Sequence, residues 1–208
     1  MPSDSKEIAV FDFDGTLYSR DSLLDFCRYY YQKKPLRLWR IALQLLAFIG
    51  WKLGRFNTSE FKHRFLIFLS NDSEQEIERM ANNFWKSPRV YNPHVLSCLR
   101  SCKATNCYTV VASASPILFI LPACKALGID EVIGTELNFI NGRYSLGENC
   151  RGDEKLRRIT TRFPSATIRE AYSDNRDDLT LLQSAEKGFA VKKGVILPVK
   201  AQDVAQEK

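Results

Sequence analysis

Apolar segments alternate with helical segments over the second half of the chain, and this alternation constrains the fold more than any other feature. The segments CYTVVASAS, IREAYSDN and GFAVKKG are predicted strands. Helices are predicted around them over 94–103, 117–127, 153–163 and 178–185. Because strand–helix alternation is typical of parallel sheets, we expect an α/β fold, a Rossmann-like parallel sheet core with helices on both faces. The segment EVIGTELNFINGRYSL predicts a strand and a hairpin that turns at Asn141 and Gly142.

Three predicted strands end in polar side chains. The first strand, in EIAVFDFDGT, ends at Asp12 and Asp14, and the other two end near Ser113 and Asp174. The carboxyl ends of parallel strands meet at one edge of a sheet, where ligands bind in open α/β folds. Two carboxylates this close repel each other and raise at least one pKa unless a cation or a shared proton relieves them. The sequence therefore predicts a site with metal chemistry at this edge.

The region between the first strand and the rest of the sheet is predicted to be helical from residue 19 to residue 86, with few strand signals. Such a block is most simply a helical cap inserted into the α/β core. We therefore expect a core domain made of 1–18 and 88–208 and a helical cap domain over 19–87.

Composition excludes several classes of function. The formal charge is +6, but the basic residues are spread along the chain, so nucleic-acid binding is not expected. Six cysteines form no CxxC pair and only two histidines are present, which gives a Cys/His metal site little support. The amino-terminal MPSDSKE carries no signal-peptide pattern, so we expect a cytoplasmic protein.

Four motifs, DFDGT, VVASAS, CRGDEK and AYSDNRDD, occur in order between Asp12 and Asp178. Together they resemble the haloacid dehalogenase superfamily, and specifically its phosphoserine-phosphatase-like branch with a helical cap after the first motif. The motifs cover essentially the entire chain. The resemblance implies a phosphatase that uses Mg²⁺.

The resemblance also implies roles for the motif residues. Asp12 is the expected nucleophile, because a carboxylate can attack phosphorus and form an aspartyl-phosphate. Asp14 is expected to protonate the leaving alkoxide and then to deprotonate the attacking water. Ser113 and Lys155 are expected to bind the substrate phosphate, the lysine by stabilising the charge of the phosphoryl group in transfer.

For the metal, the resemblance implies three ligands: the Asp12 side chain, the Asp14 backbone carbonyl and Asp174. Asp178, four residues after Asp174, is its expected companion outside the direct ligands. Hard oxygen ligands suit Mg²⁺ but also admit Mn²⁺ or Co²⁺, so the sequence does not choose among these cations.

The cap contains the segment IALQLLAFIGW, 11 residues without a charge, flanked by basic residues. It is too short to span a bilayer, which takes roughly 20 residues. One interpretation is a helix buried in the cap or at a homodimer contact. The other is an interfacial element, residues 36–54, with Trp39 and Trp51 on an anionic membrane, which would place the protein peripherally at the inner membrane face.

The substrate stays open at this stage. The apolar cap and the AYSDNRDDLTLL segment resemble phosphatidylglycerophosphatases, so a small phosphorylated metabolite or a lipid head-group phosphate such as phosphatidylglycerophosphate is expected. Phosphoserine is the alternative substrate. The resemblance to phosphoserine phosphatases would then have Asp21 bind the amine and Arg64 bind the carboxylate. Asp21 could equally cap the helix that follows. A different class, a membrane-associated binding protein on an inactive hydrolase fold, conflicts with the presence of every motif residue.

Overall fold

The computed structural model describes residues 6–140 and 143–199 of the chain. Its eight strands are β1 (Glu7–Phe11), β2 (Tyr108–Pro116), β3 (Glu131–Thr135), β4 (Leu137–Ile140), β5 (Arg143–Leu146), β6 (Thr167–Ser173), β7 (Lys187–Lys192) and β8 (Val195–Pro198). Six of them form a sheet in the order β3-β2-β1-β6-β7-β8, parallel except for β8. The predicted α/β fold is confirmed. The hairpin β4–β5 forms a separate ribbon, and its predicted turn at 141–142 lies outside the described residues.

Eight α-helices complete the fold. They are α1 (Ser22–Lys33), α2 (Arg40–Lys52), α3 (Thr58–Phe65), α4 (Glu74–Trp85), α5 (Pro93–Ala104), α6 (Ile117–Ala126), α7 (Asp153–Arg162) and α8 (Leu179–Ser184). The first four lie between β1 and β2 in the chain, and we call them the cap. The domain bounds at 18/19 and 87/88 stay a prediction. Among the described residues, no helix is both long and apolar enough to cross a bilayer.

Strand β1 lies at the centre of the sheet and explains why helices cover both faces. Successive side chains of a strand point to opposite faces. Ala9 and Phe11 pack with α5 and α6, whereas Ile8 and Val10 pack with α7 and α8. All four side chains are fully buried. A strand that is apolar on both sides needs such a two-sided cover.

The cap has a core of its own, rich in aromatic side chains. Phe26, Phe68 and Phe84 are buried together there. Phe119 of α6 stacks on Phe26, with ring centroids 4.6 Å apart, and thereby joins the cap to the sheet domain. Tyr144 of β5 belongs to the same cluster, so the β4–β5 hairpin also supports the cap.

Helix α2 differs from its prediction in two ways. The predicted element 36–54 is not one continuous helix, since a 3-10 turn over Pro35–Arg37 precedes α2, where proline favours the first positions of a new helical turn. The buried residues of α2 are Arg40, Gln44, Ala47 and Gly50, and its leucines face outward. The interpretation of this segment as an apolar helix buried in the cap is therefore wrong.

The sequence also missed β8. This strand pairs antiparallel with β7 through a tight turn at Lys193 and Gly194, both with positive φ. Its apolar run, Val195–Pro198, is only four residues long, ends in proline and is largely exposed, so it does not meet the pattern of a buried strand.

Candidate active site

Three adjacent strands, β2, β1 and β6, end at the same edge of the sheet. Their ends bring polar residues to one open cavity of about 560 Å³. Its polar lining is Asp12, Asp14, Asp21, Lys62, Ser113, Ser115, Arg151, Lys155, Asp174, Asn175 and Arg176. The adjacency of the three strands thus assembles a site from segments more than a hundred residues apart.

Asp12 follows β1 and is buried at the floor of the cavity. Its amide donates a hydrogen bond to the carbonyl of Tyr172, 2.8 Å away, which continues the β1–β6 pairing by one residue. Its Oδ1 accepts a hydrogen bond from Lys155 Nζ at 2.7 Å. Burial raises the pKa of Asp12 to about 7 despite the Lys155 charge, and the carboxylate of Asp178 adds to the rise. Further positive charge here would favour the ionised form.

Lys155, in the first turn of α7, is almost fully buried between two carboxylates. Its Nζ lies 2.7 Å from both Asp12 Oδ1 and Asp178 Oδ2. Burial alone would lower the pKa of Lys155, but the two carboxylates outweigh it and raise the pKa. Asp178 is fully buried and also accepts hydrogen bonds from Ser173 Oγ at 2.6 Å and the Gly152 amide at 3.0 Å. Asp178 therefore holds the lysine against Asp12.

Asp14 lies two residues beyond Asp12 and has different partners. Its Oδ1 accepts a hydrogen bond from the Ser22 amide at 2.7 Å, and its Oδ2 accepts one from the Ser115 hydroxyl. Burial raises the pKa of Asp14 to about 6, although the hydrogen bond from Ser115 works against the rise. A carboxyl group with a pKa near neutrality can both give and take a proton, as general acid–base chemistry requires.

The Gly-Thr pair after Asp14 explains how Asp174 reaches the same site. Gly15 has a φ of +73°, and a Cβ atom there would lie only 2.1 Å from Asp174 Oδ2. Thr16 Oγ1 accepts a hydrogen bond from the Asp174 amide at 2.9 Å and donates one to Asp174 Oδ1 at 3.3 Å. A side chain at position 15 would displace Asp174, so the turn needs glycine.

Ser113 lies within β2 and is 1% exposed. Its hydroxyl accepts a hydrogen bond from the Ser115 amide at 3.1 Å, which fixes the side chain at the cavity wall. Asp12, Asp14, Ser113, Lys155 and Asp174 all line the cavity, and Asp178 contacts Lys155 from behind. The structure therefore brings together all six residues of the four motifs, while their catalytic roles stay predictions.

The oxygen atoms at this edge fit a magnesium ion. Within residues 6–140 and 143–199, no three His, Cys, Asp or Glu side chains are grouped as a metal site. A cation here would take the carboxylates of Asp12 and Asp174 and complete its shell with main-chain, water and substrate oxygens, as Mg²⁺ commonly does. Such a cation would also offset the burial of the Asp12 charge.

The structure does not bring the predicted pair Asp21 and Arg64 together. Asp21 lines the cavity, but its Oδ1 accepts a hydrogen bond from the Leu24 amide at 2.9 Å and caps α1. Arg64 points away into a separate cleft of about 630 Å³ beside α2, where its guanidinium lies 4.1 Å from the centre of the Phe56 ring. In this conformation the predicted carboxylate-binding role of Arg64 has no geometric support.

The cap contributes the cation Lys62 to the cavity, and this residue was not predicted from the sequence. Its Nζ donates a hydrogen bond to Asn149 Oδ1 at 2.9 Å and lines the cavity. Burial lowers the pKa of Lys62, and the nearby charge of Arg151 lowers it further. Lys62 and Arg64 are two apart on α3, a spacing that places them on different faces of the helix. This spacing could have shown from the sequence that Lys62 and Arg64 do not both face the cavity.

The protein thus combines a doubly wound sheet, an inserted helical cap and a lysine held between two buried carboxylates beside the strand ends. Residues 9–183 match the family model of the haloacid dehalogenase-like hydrolases, and the chain belongs to this family. The superfamily predicted from the four motifs is confirmed.

Two curated relatives match along nearly the whole chain. The protein CicA of Caulobacter vibrioides strain NA1000 is 29% identical over 197 residues, which cover 90% of this chain and 87% of the relative. A histidinol-phosphatase of Neisseria meningitidis serogroup C is 25% identical over 214 residues, covering 95% of this chain and 96% of the relative.

Among solved structures, a substrate-bound phosphoserine phosphatase superposes with a TM-score of 0.56. Its sequence is 16% identical, and the match covers 91% of this chain and 86% of that one. At 16% identity, this similarity shows only that the two chains share a fold. The predicted class of enzyme, a hydrolase of this family with the fold of its phosphatases, is confirmed.

Proposed function

We propose that the protein is a Mg²⁺-dependent phosphomonoester hydrolase that works through an aspartyl-phosphate on Asp12. The observation that carries this proposal is the placement of Asp12: its buried carboxylate is hydrogen-bonded to Lys155 and shares one cavity with Asp14 and Asp174. A nucleophile, an acid–base group and a fixed cation at one strand edge are what two-step phosphoryl transfer needs.

In the first step, a carboxylate oxygen of Asp12 attacks phosphorus, and the bond between phosphorus and the leaving oxygen breaks. Asp14 enters protonated and gives its proton to that oxygen, which departs as the alcohol. In the second step, the Asp14 carboxylate takes a proton from water, and the resulting hydroxide attacks phosphorus. Phosphate leaves, Asp12 is again a carboxylate and Asp14 is again protonated.

The remaining motif residues hold charge in place during both steps. Lys155 neutralises the transferring phosphoryl group, and Asp178 positions that lysine through the 2.7 Å ion pair. Ser113 is placed to donate its hydroxyl to a phosphate oxygen. When bound, Mg²⁺ supplies positive charge that screens the nucleophile from the phosphate dianion.

The substrate is proposed at the level of a phosphate monoester with a further polar or anionic group. Lys62 and Arg151 support this, because they add cations to the cavity wall beyond Lys155. Three esters are specific candidates. Histidinol phosphate follows from the name of the Neisseria relative, phosphatidylglycerophosphate from the motif resemblance, and phosphoserine from Asp21 at the cavity.

Six free cysteines agree with a reducing cytoplasm.

The test is phosphate release by the purified full chain from these three esters and from p-nitrophenyl phosphate, the lipid being presented in mixed micelles. We expect release in the presence of Mg²⁺ and its loss after treatment with a chelator, with recovery when Mg²⁺ is returned. Release that is indifferent to the chelator would contradict the metal-dependent mechanism. The absence of release from every ester would favour the binding protein on an inactive hydrolase fold.

A further inference from the structure

Helix α2 and the turn before it present a broad apolar surface to solvent. Its members, which we call the α2 apolar face, are Leu36, Leu38, Trp39, Leu43, Leu45, Leu46, Phe48, Ile49 and Leu53. Trp39 is 62% exposed and Leu46 is 63% exposed. Single exposed apolar residues are ordinary, but a contiguous set of this size marks an interaction surface.

The outward orientation of this face is fixed by polar bonds on the inner side of the helix. Arg40 Nη1 donates hydrogen bonds to the carbonyls of Phe68 at 3.1 Å and Ser70 at 2.9 Å. Gln44 Nε2 donates one to the carbonyl of Phe65 at 2.9 Å. Rotating the helix to bury its leucines would break these bonds and leave buried carbonyls unpaired, which is costly. The apolar face is therefore built to stay outside.

The basic residues near the face are partly neutralised, because Asp25 pairs with Arg28, and Asp72 pairs with Lys34 and Arg37. Between residues 26 and 59 the sequence contains seven basic residues and no acidic ones. Lys33, Lys52 and Arg55 are exposed, and none of the three forms a salt bridge within the described part of the chain. Lys52 Nζ lies 4.8 Å from the centre of the Trp51 ring, so the positive charge adjoins the aromatic edge of the face.

We propose that the α2 apolar face docks on the surface of an anionic lipid bilayer, with α2 lying in the plane of the interface. A short helix with leucine and tryptophan on one side and basic residues at its borders binds such surfaces by apolar burial and by attraction to anionic lipids. A second copy of the chain is the other occupant to consider. A two-fold contact would set the exposed Lys33, Lys52 and Arg55 against the same residues of the copy, and like charges across an interface oppose association.

Vesicle flotation with the full chain tests the proposal without substrate or turnover. We expect the protein to float with vesicles of phosphatidylglycerol and phosphatidylcholine and to stay behind with phosphatidylcholine alone. Leu46→Glu should weaken binding at least about tenfold, because it removes apolar burial and adds a repelled charge. Val90→Glu is the matched control, because Val90 is equally exposed at 63% but lies outside the α2 apolar face.

Two further readouts separate docking from misfolding and from catalysis. The tryptophan fluorescence, to which the exposed Trp39 contributes, should shift to shorter wavelength on binding. The double substitution Lys52→Glu and Arg55→Glu should weaken binding more at low salt than at high salt. Phosphate release from a soluble ester should be the same in Leu46→Glu and the parent, so failure of the proposed hydrolase activity and failure of docking are distinguishable.

Three results would overturn the proposal. The first is a parent protein that stays with the soluble fraction in low salt with phosphatidylglycerol vesicles. The second is an equal loss of binding in Val90→Glu and Leu46→Glu. The third is a dimer in light scattering that Leu46→Glu dissociates while no vesicle binding occurs, which would assign the face to a second copy of the chain.

Discussion

The catalytic edge of the sheet and the outer side of α2 place polar and apolar side chains in opposite ways. At the catalytic edge, strands bury their apolar residues, and Lys155 with its carboxylate partners lies at the strand ends. On α2, the polar residues Arg40 and Gln44 face inward and the leucines face solvent. Both regions bury charged or polar groups, yet only the second leaves its apolar residues uncovered.

The difference shows that the bonding partners on the neighbouring backbone decide what is buried. The Asp12 carboxylate is buried because Lys155 and the strand end hold it. Arg40 is buried because the 3-10 turn Leu66–Leu69 and Ser70 offer carbonyl groups that no helix or strand uses. A buried polar group is tolerated wherever such partners exist, and the apolar side chains then take the positions that remain.

The largest effect should come from removing the charge of the proposed nucleophile. Asp12→Asn is expected to reduce phosphate release at least about a thousandfold, because the amide cannot attack phosphorus. The measurement is release from p-nitrophenyl phosphate with Mg²⁺, alongside circular dichroism to check the fold. Asp153→Asn is the matched control, since Asp153 is exposed in the first turn of α7 and does not line the cavity. Retained activity in Asp12→Asn would refute the mechanism.

The second prediction concerns Arg40 and tests whether the inward polar side of α2 stabilises the fold. Arg40→Met should lower the free energy of unfolding by about 2 kcal/mol, because two carbonyls lose a charged hydrogen-bond donor. Arg79→Met, which removes an exposed ion pair with Glu76, should change it by less than about 0.5 kcal/mol. Urea unfolding followed by circular dichroism measures both.

The same experiment has a counterpart on the outer side of the helix. Leu45→Ser would be strongly destabilising in a buried apolar helix, but Leu45 is exposed here, so we expect a change within about 0.5 kcal/mol. A loss of stability in Leu45→Ser as large as in Arg40→Met would mean that the leucine face is covered in solution, and the contrast between the two regions would disappear.

A pH-dependent effect, smaller than that of Arg40→Met, concerns Asp72, which neutralises the basic residues at the start of this region. Burial would raise its pKa, but hydrogen bonds from Lys34 and Tyr30, together with the charge of Arg37, lower it below the usual value. A lowered native pKa stabilises the fold above the unfolded-state pKa, and the contribution is lost as pH falls through the native pKa. Asp72→Asn should therefore cost about 1 kcal/mol near neutral pH and less in acid.

Urea midpoints at neutral and acidic pH measure this difference. Glu148→Gln is the control for removing a surface carboxylate, because Glu148 is exposed and forms only loose pairs, with Arg157 at 3.3 Å and Arg158 at 3.9 Å. A gap between Asp72→Asn and the parent that stays constant down to acidic pH would show that the charge of Asp72 does not support the fold.

Strand-end patterning was sufficient to predict the sheet and most of the site. Asp12, Ser113 and Asp174 follow apolar runs, and parallel topology alone places their ends at one edge. Lys155 carries no such signal, because it belongs to the first turn of a helix, and only the motif resemblance pointed to it. The family and the α/β fold were therefore accessible from the sequence, since both rest on ordered local patterns.

The cap could not be predicted to the same depth. Hydrophobic periodicity ranks helix faces by their own residues and cannot detect acceptor carbonyls on a neighbouring segment, so the orientation of α2 was missed. On α3, Lys62 lines the cavity and Arg64 lies in the separate cleft, because residues two apart lie on different faces of a helix.

The central position of β1 has a consequence for how the protein is made. Strand β1 leaves the ribosome before its neighbours β2 and β6, which follow roughly 100 and 160 residues later. The contact between Asp12 and Lys155 spans 143 positions, and that between Thr16 and Asp174 spans 158. Non-local pairing of this kind slows folding, and the growing chain carries Asp12 and Asp14 without their partners until the segments around Lys155 and Asp174 have been made. Catalytic competence is therefore among the last properties the nascent protein acquires.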